Sequence, residues 1–167
     1  ARDVLFAPGF GFGEYAIESL RSLLRCFQST LTNELHVRGD AGYGKSHTLI
    51  RTFDEQASAG LPGLFVHAED IHSVYDMPKI FGFPTSYSID DFFGILSVAG
   101  KVYGSKVVIC IDGLNETRDC DRVWKNEIPK LVGKLQSKYS NIVLLSSFRT
   151  SYQNDLFYDD YFRKVEY

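Results

Sequence analysis

The sequence predicts an α/β domain, with a mostly parallel sheet of about five strands between two layers of helices. Three observations lead there. Short apolar runs alternate with stretches of helical periodicity along the chain. Two of the runs, Lys106–Asp112 and Asn141–Ser147, carry unbroken apolar stretches (Val107–Ile111 and Ile142–Leu145), as in central parallel strands covered on both faces. A glycine-rich segment, Gly39–Ser46, separates a strand-like stretch from a helix-like one.

The elements follow in order. Residues 1–13 are rich in Gly and Phe and read as a loop. From Glu14 to about Thr32, Ile17, Leu20, Leu23, Leu24, Phe27 and Leu31 recur near a 3.6-residue period and predict an amphipathic helix. Residues 1–33 are thus a leader into a core spanning 34–167. Glu34–Arg38 reads as the first strand of that core. A helix from about Lys45 to Ala59 follows, with Leu49, Ile50 and Phe53 at helical spacing and Gly60 to end it. Gly63–His67 reads as a strand, and 68–87 as mostly loop with a short helix. Ser88 and Asp91 have capping-box spacing at the start of a helix that runs to about Tyr103. Val123–Tyr139 reads as a helix that Pro129 should end or kink. Past Ser151 the chain is polar and aromatic, and Lys164–Tyr167 is expected to open a fifth strand.

Composition bounds the function. The chain has 167 residues, enough for one domain with a sizeable core. A net charge of −3 gives no general attraction for nucleic acid, so direct nucleic-acid binding is not expected. No run approaches a membrane span. Cys26, Cys110 and Cys120 fit no metal spacing and no disulfide framework, which suggests a reducing, cytoplasmic setting. The chain starts without Met, as a processed or excised piece would.

Gly39-Asp40-Ala41-Gly42-Tyr43-Gly44-Lys45-Ser46 matches G-x-x-x-x-G-K-[ST], the phosphate-binding P-loop. Strand, glycine loop and helix come in the order the motif requires, which sets phosphates at a helix N-terminus. The nucleotide-binding set is therefore Gly39 to Ser46 together with His47, although His47 also suits local packing or capping. Lys45 reaches the β/γ-phosphates, and the Ser46 hydroxyl ligates Mg²⁺.

In a parallel sheet, ligands bind at the carboxyl ends of the strands. Those ends carry the P-loop, His67–Asp70, Asp112–Glu116 and Ser146–Arg149. Asp112 closes an apolar strand and is a candidate Mg²⁺ ligand. Glu116, four residues on, is a candidate for orienting or deprotonating water. The Arg149 guanidinium suits contact with a terminal phosphate, or an ion pair with Asp112, Glu116 or the tail acids Asp155, Asp159 and Asp160. A base could pack on Phe10 or Phe12.

Assembled in this order, these segments resemble the STAND class of P-loop NTPases, including NACHT-type modules and, among them, the antiviral STAND proteins of prokaryotes. The residues that carry the likeness are Gly39–Ser46 with His47-Thr48-Leu49, Ser88–Phe93, Ile111–Glu116, Trp124 and Leu145–Tyr152. The resemblance implies a STAND/AAA+-like three-layer sandwich that binds ATP or ADP with Mg²⁺. It implies a switch in a longer protein, which senses a phage protein through other domains, forms homo-oligomers and activates an effector. It implies that Lys45 and Ser46 carry nucleotide and Mg²⁺, Asp112 the metal, Glu116 hydrolysis and Arg149 phosphate sensing. The winged helix and lid of that class would lie beyond the residues given. A motor or loader ATPase of the AAA+ kind, and a nucleotide-locked module without hydrolysis, share the same motifs.

Overall fold

The computed structural model describes residues 2–5 (backbone only), 33–158 and 161. Among them a five-stranded sheet forms in the order β1-β2-β5-β4-β3, with every pair parallel. The strands are β1 (Arg2–Leu5), β2 (Glu34–Gly39), β3 (Gly63–His67), β4 (Val107–Asp112) and β5 (Ile142–Arg149). The helices are α1 (Lys45–Ser58), α2 (Met77–Ile80), α3 (Ile89–Val102), α4 (Cys120–Lys138) and α5 (Gln153–Leu156).

Strand alternation divides the core into two. Val107, Ile109 and Ile111 of β4 and Ile142 and Leu144 of β5 face α3 and α4, packing with Phe92, Phe93, Val123, Trp124 and Leu135. The intervening Val108, Cys110, Val143 and Leu145 face the other way, with Leu35, Val37 and Leu49 of α1. β4 is buried throughout, and β5 throughout except at Arg149, as their apolar runs predict. Burial and the nearby Asp112 push the Cys110 thiol up to about 12, so it behaves as an apolar filler.

Local signals account for the helix ends. Ser88 Oγ accepts the Asp91 N–H at 3.2 Å and Asp91 Oδ2 accepts the Ser88 N–H at 2.9 Å, a complete capping box. Gly60, at φ +71°, turns the chain out of α1 while Gly60 N–H bonds Ala57 O and Leu61 N–H bonds Gln56 O.

Three expectations need correction. Pro129 lies inside α4 without ending it. Its missing N–H costs one bond, but Val123, Trp124, Ile128, Leu131, Val132 and Leu135 bury a continuous face on both sides of it. Ile50 is 40% exposed, since Leu49 takes the core position on α1. Arg2–Leu5, read as loop, instead pairs with Leu35–Arg38 as an edge strand. Four polar and apolar residues ahead of a glycine-rich stretch carry too little periodicity to announce a strand. The strand expected at Lys164–Tyr167 and the helix expected at Glu14–Thr32 lie outside the described residues, as do Phe10, Phe12 and Cys26.

The segment after β5 returns along β2. The Arg38 guanidinium bonds the Gln153 side chain, the His36 ring meets the Phe157 ring edge-on at 4.9 Å, and the Tyr161 hydroxyl donates to Glu34 Oε2 at 2.5 Å. Alternate residues of β2 thus engage Gln153, Phe157 and Tyr161 in turn. His36 is fully buried, 2.6 Å from Ser146 Oγ and 3.2 Å from Glu34 Oε2. Burial favours the neutral Glu34 carboxyl, but His36 and Tyr161 outweigh it and hold its pKa below the ordinary value. No helix among the described residues is long and apolar enough to cross a membrane.

Candidate nucleotide site

Strand order sets the geometry of the site. β5 lies between β2, which ends in the P-loop, and β4, which ends in Asp112. Asp112 therefore stands two strands, or about 10 Å, from the end of β2, roughly the width of a phosphate chain and its cation. The end of β5 fills the space between, with Gly39 opposite Arg149 and His67 opposite Asp112 in register.

The P-loop turns through Gly42 at φ +81° and Gly44 at φ +72°, a backbone region that L side chains rarely adopt. Gly44 caps α1 with no side-chain hydrogen bond, which leaves the first helical N–H groups for an anion. Thr48 fastens the first turn, its hydroxyl donating to Gly44 O at 2.8 Å. Lys45 folds over its own loop, with Nζ 2.8 Å from Gly39 O and 2.7 Å from Asp40 O. Burial and then the nearby Arg149 lower the Lys45 pKa, against the opposing pull of Asp112, Asp40 and Glu116. Two cations thus share one cleft, a field that favours a polyanion.

The opposite wall is the turn after β4. Gly113 adopts φ +73°, and a Cβ there would come within 2.9 Å of Glu116 Oε2. Glycine lets the turn fold Glu116 back over the strand end. There the Glu116 carboxylate is 3.7 Å from the Arg149 guanidinium, both side chains about half exposed. Asn115 Oδ1 accepts the Arg149 backbone N–H at 2.9 Å. Trp124 on α4 braces the turn from below: its Nε1–H donates to Leu114 O at 2.8 Å and to Thr117 Oγ1 at 2.9 Å. Thr117 in turn donates to Ala68 O at 2.7 Å, past the end of β3.

These parts enclose a cleft of about 330 Å³. Ala41, Gly42, Gly44, Lys45 and Ser46 form one wall, and Gly113, Asn115, Glu116, Ser147 and Arg149 the other. Lys45, Ser46, Glu116 and Arg149 line this one cleft, whereas His67–Asp70, expected at the same crevice, are not among its walls. Gly39, Asp40, Tyr43, His47 and Asp112 are not among its walls. Gly39 and Asp40 instead turn their carbonyls to Lys45. Asp112 is buried, with Oδ1 accepting a short hydrogen bond from the Ser147 hydroxyl and Oδ2 3.8 Å from His67 Nδ1.

Ser147, Asn115 and Trp124 gain roles here that their sequence positions alone do not announce. Ser147 had one available signal, a hydroxyl in a buried strand that opens on four apolar residues. No group of three or more His, Cys, Asp or Glu that could hold a metal occurs among the described residues. A cation bound by one carboxylate, one hydroxyl and the ligand's own phosphates suits Mg²⁺, which usually keeps much of its water.

The fold has solved counterparts. A DNA replication initiation factor superposes with a TM-score of 0.55 at 18% identity, over 90% of this chain and 43% of that one. AMPPCP-bound DnaA from Aquifex aeolicus gives 0.55 at 17%, over 90% and 44%. The Walker-type ATPase of Pyrococcus abyssi gives 0.56 at 13%, over 82% and 45%. The α/β fold with its parallel sheet resembles AAA+/P-loop NTPase architecture. The chain spans less than half the length of each of these structures. The sequence matches no protein-family model and no curated protein.

Proposed function

We propose that this AAA+-like domain binds ATP with Mg²⁺ and hydrolyses it slowly, acting as a STAND-type switch within a longer protein. The observation that carries the reading is the cleft in which the P-loop faces Glu116 and Arg149. Gly42 to Ser46 cradle the phosphates through backbone N–H groups and the N-terminus of α1. Lys45 exchanges its bonds to Gly39 O and Asp40 O for phosphate oxygens. Ser46 and Asp112 hold Mg²⁺, which neutralises phosphate charge. Glu116 orients water, and Arg149 registers the terminal phosphate.

The switch reading draws on the sequence likeness, chiefly Asp112–Glu116 and Ser146–Arg149, and the phage-sensing and oligomeric roles draw on that likeness alone. A second reading is an AAA+-like motor or loader ATPase acting on nucleic acid or protein, and the DNA replication initiation factor among the matched folds favours nucleic acid. Titration calorimetry with ATP and Mg²⁺ tests the shared core: wild type binds and Lys45→Ala does not. Retained affinity in Lys45→Ala refutes the reading. Turnover and mass then divide the alternatives. A switch turns over slowly and assembles on nucleotide, whereas the second reading requires turnover stimulated by its nucleic-acid or protein partner.

A further inference from the structure

Asp112 is the only carboxylate among the described residues placed at the end of the fully buried β4. It is 5% exposed, and a carboxylate so buried needs fixed partners. Ser147 provides them from the neighbouring strand. Its hydroxyl donates to Asp112 Oδ1 and accepts the Gly113 N–H at 2.9 Å, so its proton and one lone pair are both committed. Ser147 is itself 1% exposed, yet it forms part of the cleft wall across from the P-loop. It stands opposite Val37 of β2, so one residue touches the cleft, the acid strand and the strand that leads to the phosphate loop.

Rotation of a carboxylate about its last side-chain bond is broad and weakly restrained. A hydrogen bond to one named oxygen removes that freedom and divides the two oxygens. Oδ1 is taken by Ser147, and Oδ2 has His67 Nδ1 3.8 Å away, beyond hydrogen-bond distance. Partners of this kind orient ligating groups, and their loss typically lowers metal affinity by about 10–100-fold.

We propose that Ser147 is a positioning residue for magnesium, fixing the plane of Asp112 so that Oδ2 is the oxygen presented to the cation and its water. The inference rests on the nucleotide-binding reading given above. A merely structural Ser147 would satisfy buried groups equally with and without the metal, whereas a positioning Ser147 acts on the metal-dependent part of binding alone.

Calorimetric titration of ATP, once with excess Mg²⁺ and once with EDTA, separates the two. In wild type, Mg²⁺ strengthens binding. In Ser147→Ala that gain, the ratio of affinity with Mg²⁺ to affinity in EDTA, falls about tenfold. Ser147→Thr, which keeps the hydroxyl, restores it. Adding Ser147→Ala to Asp112→Asn produces no further loss of the gain. Should the alanine variant fail to fold, Ser147→Cys, close in volume but a weak hydrogen-bonding group, is read by the same criterion. A full magnesium gain in Ser147→Ala, or equal losses with and without Mg²⁺, overturns the inference and leaves the nucleotide-binding reading standing. Wild type that binds no nucleotide overturns that reading, and this inference with it.

Discussion

The Arg149 guanidinium lies 3.7 Å from the Glu116 carboxylate, across the mouth of the cleft. Both side chains are about half exposed, so the pair itself adds little to stability. Its meaning is competitive: a phosphate and a water molecule would each have to claim one member. Glu116→Gln removes the charge and keeps the shape. The expected result is a fall in ATP turnover of about 10²-fold or more, with ATP affinity unchanged or tighter because Arg149 loses its competitor. Steady-state turnover and calorimetry measured on one preparation check both parts.

Trp124→Phe keeps an aromatic ring in the core but removes the donor to Leu114 O and Thr117 Oγ1. The carbonyl and hydroxyl left behind are buried. A loss of about 1–3 kcal/mol in unfolding free energy is expected from urea titration. Turnover should fall as well, because Leu114 and Thr117 bracket Glu116. A variant with wild-type stability would show that water replaces the indole N–H.

Gly113→Ala places a side chain at φ +73° and sets its Cβ 2.9 Å from Glu116 Oε2. The backbone strain is about 1–2 kcal/mol. The crowded atom is the end of a flexible side chain, so Glu116 moves and the fold survives. Turnover should therefore drop much more than the melting temperature does.

Asp90 accepts hydrogen bonds from Lys134 at 2.7 Å and Lys138 at 3.2 Å, tying α3 to α4. Lys134 first, then Lys138, hold its pKa down at about 2, below the ordinary 3.8. A depressed carboxylate stabilises the fold above the unfolded pKa, and that contribution fades as pH falls through the folded value. Asp90→Asn is therefore expected to be slightly less stable than wild type at pH 7. The difference should close between about pH 4 and pH 2. The exposure of the site keeps the effect small. Thermal melts of both proteins across that range decide it.

How much was legible beforehand depended on where the signal lay. Apolar continuity announced β4 and β5, because a strand covered on both faces takes apolar residues on both sides along most of its length. Ser88 and Asp91 announced the start of α3 through chemistry contained within four residues. Lys45, Ser46, Glu116 and Arg149 could be drawn to one cleft because strand ends in a parallel sheet share one edge. Ser147 escaped, since its value depends on facing Asp112 across 35 residues of chain. Pro129 misled because local propensity cannot see the buried face that carries α4 past it. Arg2–Leu5 was missed because its pairing partner, β2, lies some 30 residues away and its own pattern is weak.

The tail laid along β2 gives the cradle a mechanical handle. Gln153, Phe157 and Tyr161 engage Arg38, His36 and Glu34 on the strand whose last residue, Gly39, accepts a bond from Lys45. Tension applied to the chain at Tyr161 is borne by that strand. A pull there would load the loop to which the proposed function assigns phosphate binding.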